Sequence, residues 1–169
     1  MEHWRIIQNS GSRKMNIFSE VILMTEKNIV NEAKKYWEHG HNCARSTASG
    51  ILDYFGYKAE SEILNKSFLP YGGGIGERSI CGSLVGALGA LSFLLMEKGL
   101  SNEEIAEKIK VLKTGFAESN GSLYCGKLLD EFIDQEGKLD KDHPDRRKVC
   151  DQTVETAVLI VKDIYENIS

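Results

Sequence analysis

Apolar residues along the chain recur at intervals of three and four, the spacing of one helical face, and nowhere alternate long enough to draw a strand. Ile29, Ala33, Tyr36 and Trp37 share such a face, and Gly40 follows where a left-handed helix terminus is wanted. A second helix is predicted from Asn42 through Tyr54, ending at Gly56, and a short one within residues 61–69. Pro70 and the glycines Gly72, Gly73, Gly74 and Gly76 then argue against regular structure. A long apolar helix is expected from about Ser79 to Lys98, stopped by Gly99. Ser101-Asn102-Glu103-Glu104 has capping-box spacing and opens a further helix with Ile105, Ile109, Leu112 and Phe116 inward, broken by Asn120-Gly121. A short helix over about residues 125–133 precedes the segment DQEGKLDKDHPD, whose polarity and Gly137 predict a solvated connection. In the last helix Cys150, Val154, Ala157, Val161, Ile164 and Ile168 step by four and three, a continuous core stripe.

The fold class predicted is all-α, a compact helical bundle with a buried central glycine-rich helix. Residues 1–24 lack periodicity and read as a loosely ordered extension, with Thr25 as a candidate N-cap and residues 25–169 as one helical domain. With 169 residues, 41% of them hydrophobic, the chain can bury one core but not two. A net charge of −4 with both signs interspersed carries no nucleic-acid footprint. No long apolar stretch follows a basic end in residues 1–24, so a cytoplasmic protein is expected.

The glycine-rich run from Gly72 to Ala87 raises three readings. A phosphate-binding loop would end in Gly-Lys-Ser/Thr, but Gly76-Glu77-Arg78-Ser79 has no lysine, and Ser79 stands where a dinucleotide fingerprint needs its third glycine. Nucleotide is therefore not expected. Ile80 to Met96 is uncharged and just long enough to span a bilayer. Yet Gly82, Gly86 and Gly89, with Ser83, Ala87 and Ala90 between them, suit close helix packing in a core, so no stable membrane insertion is expected. There remains Cys81, near a helix start where unpaired backbone N–H groups favour a thiolate or a metal-bound sulfur.

Cys43, Cys81, Cys125 and Cys150 are separated by 38, 44 and 25 residues, which removes paired zinc-finger spacing, Cys-x-x-Cys redox motifs, ferredoxin runs and haem attachment. Each falls near a predicted helix start, so the four could converge at one end of the bundle. The plainer alternative is that each is a small buried hydrophobe. A reducing compartment disfavours two structural disulfides, while a redox-switched pair stays open among three connectivities.

His41-Asn42-Cys43-Ala44, Gly72-Gly73-Gly74-Ile75-Gly76 leading to Cys81-Gly82-Ser83-Leu84-Val85-Gly86, Tyr124-Cys125 and Val149-Cys150 together resemble the C-GCAxxG-C-C family of redox-active proteins, from about Gly40 to the C-terminus. One departure is Ser83, where the family usually has alanine; it adds a hydroxyl. The family is similar to a domain of split-Soret cytochrome c, which implies a helical fold and an iron–sulfur site. No haem role carries over, because this chain has no haem-attachment motif.

The resemblance implies that Cys43, Cys81, Cys125 and Cys150 are the redox-active or metal-ligating residues, with Gly74, Gly76 and Gly82 as candidate cofactor-binding positions beside them. Four thiolates suit an iron–sulfur cluster or zinc, and the cluster is favoured because structural zinc sites draw ligands in close pairs. The expected function is electron transfer or oxidoreduction with an unidentified redox partner, and homo-oligomers are compatible with it. The alternative is a non-enzymatic binding or scaffold module with structural or zinc-holding cysteines. Among weaker signals, His41 is a ligand candidate or a solvated cap, and Arg78 stabilises thiolate charge or solvates its loop. Glu77 favours a helix start, residues 134–147 read as surface, and Tyr36, Trp37, Tyr54 and Phe55 read as core.

Overall fold

The computed structural model describes residues 29–168, so the extension expected over 1–24 and the cap expected at Thr25 lie outside the described residues. Helix α1 covers 29–38, α2 Cys43–Tyr54 and α3 Lys58–Ser67. A 3-10 turn (Leu69–Tyr71) and a wide turn (Gly74–Arg78) lead to α4, Gly82–Glu97. Helices α5 (Asn102–Asn120), α6 (Cys125–Leu128) and α7 (Pro144–Glu166) complete the chain, with a second 3-10 turn at Asp130–Phe132. The fold is all-α. Among the described residues β-type pairing is confined to two isolated antiparallel bridges, Ile80 with Tyr124 and Ile133 with Leu139.

The core follows the predicted stripes. Ile29 and Ala33 of α1, Ala48, Ile51 and Leu52 of α2, and Leu84, Leu91, Leu94 and Leu95 of α4 are buried together with Leu112, Phe116, Val158 and Val161. Each fully buried aliphatic side chain contributes roughly 1.5–3 kcal/mol relative to exposure. Helix α4 packs on α2, α5 and α7. It meets α2 backbone to backbone, since a Cβ on Gly86 would stand 2.3 Å from the Ala44 carbonyl oxygen. The Ser101–Glu104 capping box forms in full at the start of α5. Among the described residues no helix is long and apolar enough to cross a membrane.

Two local expectations change. The long apolar helix starts at Gly82, not Ser79, because residues 79–81 are drawn out to pair with 123–125: the Cys81 N–H donates to Leu123 O at 2.8 Å and the Cys125 N–H to Ser79 O at 2.7 Å. The glycine run, expected to be irregular, instead holds a compact turn of left-handed residues. Gly73, Gly74, Ile75 and Gly76 have φ of 60°, 63°, 61° and 76°, closed by Gly76 N–H to Gly72 O and Arg78 N–H to Gly73 O, both 3.0 Å. Ile75 is β-branched and half-exposed in this region, a conformation that costs about 1–3 kcal/mol and must be held by its surroundings.

Candidate functional site

Each cysteine is placed by a different element. Cys43 is the first residue of α2, whose N-cap Asn42 accepts the Arg45 N–H at 3.0 Å and donates from Nδ2 to Leu69 O at 2.8 Å, tying the helix start to the 3-10 turn. Cys81 is the N-cap residue of α4, and Cys125 opens α6. Cys150 lies further in, in the second turn of α7, because His143 caps that helix and Pro144 begins it. All four are free thiols, three buried and Cys150 half-buried.

Segments distant in sequence thus bring all four to the wall of one cavity of about 1150 Å³. The 79–81 and 123–125 pairing sets Cys81 beside Cys125. Gly82 makes room for Cys43: a Cβ there would stand 2.5 Å from Cys43 Sγ and 2.7 Å from Tyr71 O. Gly74 does the same under Cys125, 3.0 Å from its Cβ, and Gly76 lines the cavity itself. In this structure the candidate cofactor glycines Gly74 and Gly82 therefore act by letting sulfur-bearing residues approach.

Burial governs the thiols. It pushes Cys43 above the ordinary cysteine value, reinforced by the Cys81 charge, while the backbone N–H groups of Gly73, Ala44 and Cys43 itself pull the other way. Burial, then the neighbouring charges of Cys81 and Cys43, push Cys125 up to about 11, opposed by Arg78 and Arg146. Cys150 is pushed up to about 12, by burial first and then Cys43 and Cys81, with Arg146 opposing. Undisturbed, these sulfurs hold their protons at neutral pH. The Cys81 sulfur lies 3.0 Å from the hydroxyl of Ser83.

The segment read as a solvated connection is the far wall of the cavity. Most of its side chains are exposed, as expected. The chain nevertheless folds back through the Ile133–Leu139 bridge and Asp140 N–H to Phe132 O at 2.8 Å. Arg78 Nη1 donates to Gly137 O at 2.7 Å and Arg146 Nε to Lys141 O at 3.0 Å, clasping this strap over the thiols. Leu139 and His143 line the cavity from it, joined by Ile133 just before it. Sequence reasoning missed this wall, although Leu139 was an apolar mark inside the charged run; Phe132 and Ile133, expected in the short helix over 125–133, lie beyond its end at Leu128.

His41 is not part of the cavity wall. It pairs through Nδ1 with Asn65 Nδ2 at 3.1 Å and packs edge-on to Tyr36, and burial followed by the Arg45 charge lowers its pKa. Trp37 packs against the core as expected but also lines the cavity. Its outer face carries the Arg147 guanidinium 3.9 Å from the ring centroid, and its indole N–H donates to Asp151.

Over residues 41–164 the chain matches the family model described as "Putative redox-active protein (C_GCAxxG_C_C)". It belongs to this family. The match includes all four cysteines, the left-handed glycine turn and the strap. Among curated proteins and among solved structures there is no match.

In the C_GCAxxG_C_C chain the donor set can be tested against a metal. Among the described residues no three His, Cys, Asp or Glu side chains close around one point as a single ion requires. Zinc would sit about 2.3 Å from every sulfur. An iron–sulfur cluster shares its thiols among several iron ions and so does not require all four around one point. The donor chemistry fits as well: four thiols, no disulfide, and two guanidinium groups near enough to favour negative charge.

Proposed function

We propose that this protein carries electrons on an iron–sulfur cluster held by Cys43, Cys81, Cys125 and Cys150. The observation that supports it most is the convergence of four free thiols from four elements on one cavity. Thiolates select such clusters, and when bound the cluster supplies a reversible one-electron couple. The chain's own residues supply the electrostatics. Four thiolates gathered where three of the sulfurs are buried are costly, and the raised thiol values express that cost. The Gly73 and Ala44 amides at Cys43, with Arg78 and Arg146 near Cys125, offset part of it. The same groups favour the extra negative charge of the reduced state. Trp37 and the strap line the same cavity.

A second reading rests on the nearness of two of the thiols. Cys81 is the thiol whose charge bears on Cys43, so a reversible Cys43–Cys81 disulfide would serve the same redox role. Anaerobic purification followed by iron, sulfide and zinc analysis and visible absorption separates the readings. Brown protein with iron and acid-labile sulfide, lost in each Cys→Ser variant, is expected. Colourless, metal-free protein that gains a Cys43–Cys81 bond on mild oxidation favours the disulfide. Zinc-loaded protein, or thiols inert until unfolding, overturns both.

A further inference from the structure

Ser83 is the second residue of α4 and fully buried, and its hydroxyl oxygen lies 3.0 Å from Cys81 Sγ. Among the described residues that sulfur is the hydroxyl's hydrogen-bond partner. The carbonyl four residues back, Ser79 O, lies in the extended segment before the helix and pairs with the Cys125 N–H at 2.7 Å. A buried hydroxyl is costly to leave unpaired, so its pairing with sulfur is a stable feature of the site.

We infer that Ser83 is a positioning residue that tunes the reduction potential of the redox centre through the Cys81 sulfur. This rests on the redox reading above. A cysteine sulfur that is ligating or oxidised has no proton, so the shared hydrogen must come from Ser83 Oγ and the sulfur must accept it. Reduction places more negative charge on the sulfurs. A fixed O–H dipole aimed at one of them in a dry site then stabilises the reduced state more than the oxidised one. The potential is therefore higher with serine than with alanine. The sign follows for a cluster, whose ligating sulfurs gain negative charge on reduction without gaining a proton.

The test uses the full chain and the variants Ser83→Ala and Ser83→Thr, with potentials measured against reference dyes on anaerobically purified protein. Ser83→Ala is expected to shift the equilibrium about tenfold toward the oxidised form, which is 59 mV for a one-electron couple. Ser83→Thr, which keeps the hydroxyl, is expected to restore the parent value. In metal-free reduced protein the infrared S–H band of Cys81, assigned by its loss in Cys81→Ser, is expected to move in Ser83→Ala and return in Ser83→Thr. A couple and a band that Ser83→Ala leaves unchanged overturn the tuning role alone. A parent protein with no redox couple overturns the redox reading and the tuning role with it.

Discussion

Gly82 and Gly76 show how one residue type does two different jobs at this site. At Gly82 the surroundings forbid a side chain, with Cys43 Sγ and Tyr71 O both inside 3 Å of a would-be Cβ. At Gly76 space is open, but φ is 76°. Gly82→Ala is expected to cost about 1–3 kcal/mol through overpacking and to alter Cys43 alkylation. Gly76→Ala is expected to cost about 1–2 kcal/mol through backbone strain and to leave Cys43 unchanged. Urea midpoints and peptide-level alkylation check both; equal alkylation in the two variants would show that Gly82 does not position Cys43. The thiols make a second residue-scale prediction. Cysteine in an unfolded chain ionises near 8.5, whereas Cys125 and Cys150 are held at about 11 and about 12 in the folded protein. Folding thus favours the protonated thiols. Their contribution to stability is whole below the unfolded value and is lost as pH rises from about 9 toward the folded values. Metal-free reduced protein is expected to lose stability across that window, and Cys150→Ser to lose less. Parallel slopes of denaturation midpoint against pH would contradict it.

Among the elements, the strap and the left-handed turn are joined by one side chain, Arg78, through its bond to Gly137 O. Replacing it by alanine releases the strap on the side away from Arg146. Cys150 is the useful reporter, because the guanidinium that chiefly opposes its raised value is that of Arg146, which this variant keeps. Its reaction with a maleimide is expected to rise about fivefold, the population shift from losing about 1 kcal/mol. An unchanged rate, with unchanged amide exchange over residues 133–143, would mean that the Ile133–Leu139 bridge and the Arg146 contact suffice to close the strap. Neither the strap nor the turn showed in the periodicity. Their apolar residues are too few to draw a face: the turn is closed by short-range bonds that need left-handed φ, the strap folds back through the Ile133–Leu139 bridge, and the Arg78 bond to Gly137 O reaches 59 residues along the chain. The drawn-out 79–81 segment escaped because its partners, 123–125, are likewise distant in the chain.

For the whole molecule, ligation would cross-link α2, α4, α6 and α7, elements that otherwise meet through packing and a few backbone hydrogen bonds. A group that binds only the folded chain at a hundred times its dissociation constant adds about 2.7 kcal/mol, on the order of 5–10 °C in melting temperature for a chain of this size. Loading with iron and sulfide under anaerobic conditions is expected to raise the melting temperature by that amount, and chelation to reverse it. A scan that ignores loading would separate the cavity from cluster binding. The helical framework on which this depends was largely legible: the stripe through Val154, Val161 and Ile164 and the Ser101 capping box stand where the pattern placed them, and the small residues marked a close helix contact whose partner, α2, only the fold supplies. The four cysteines were legible as candidates. Their common cavity was not, because nothing in a residue's neighbours along the chain specifies which distant helix start it will face.

What the amino-acid order determined on its own is therefore local: helix phase, helix ends and which residues turn inward, since these follow from backbone geometry and water's exclusion of apolar groups over a few residues. Tertiary structure decided the rest. It drew 79–81 against 123–125, folded a charged strap over the thiols, and set Ser83 against Cys81. These depend on which surfaces meet when the helices dock, and on where buried polar groups then find partners.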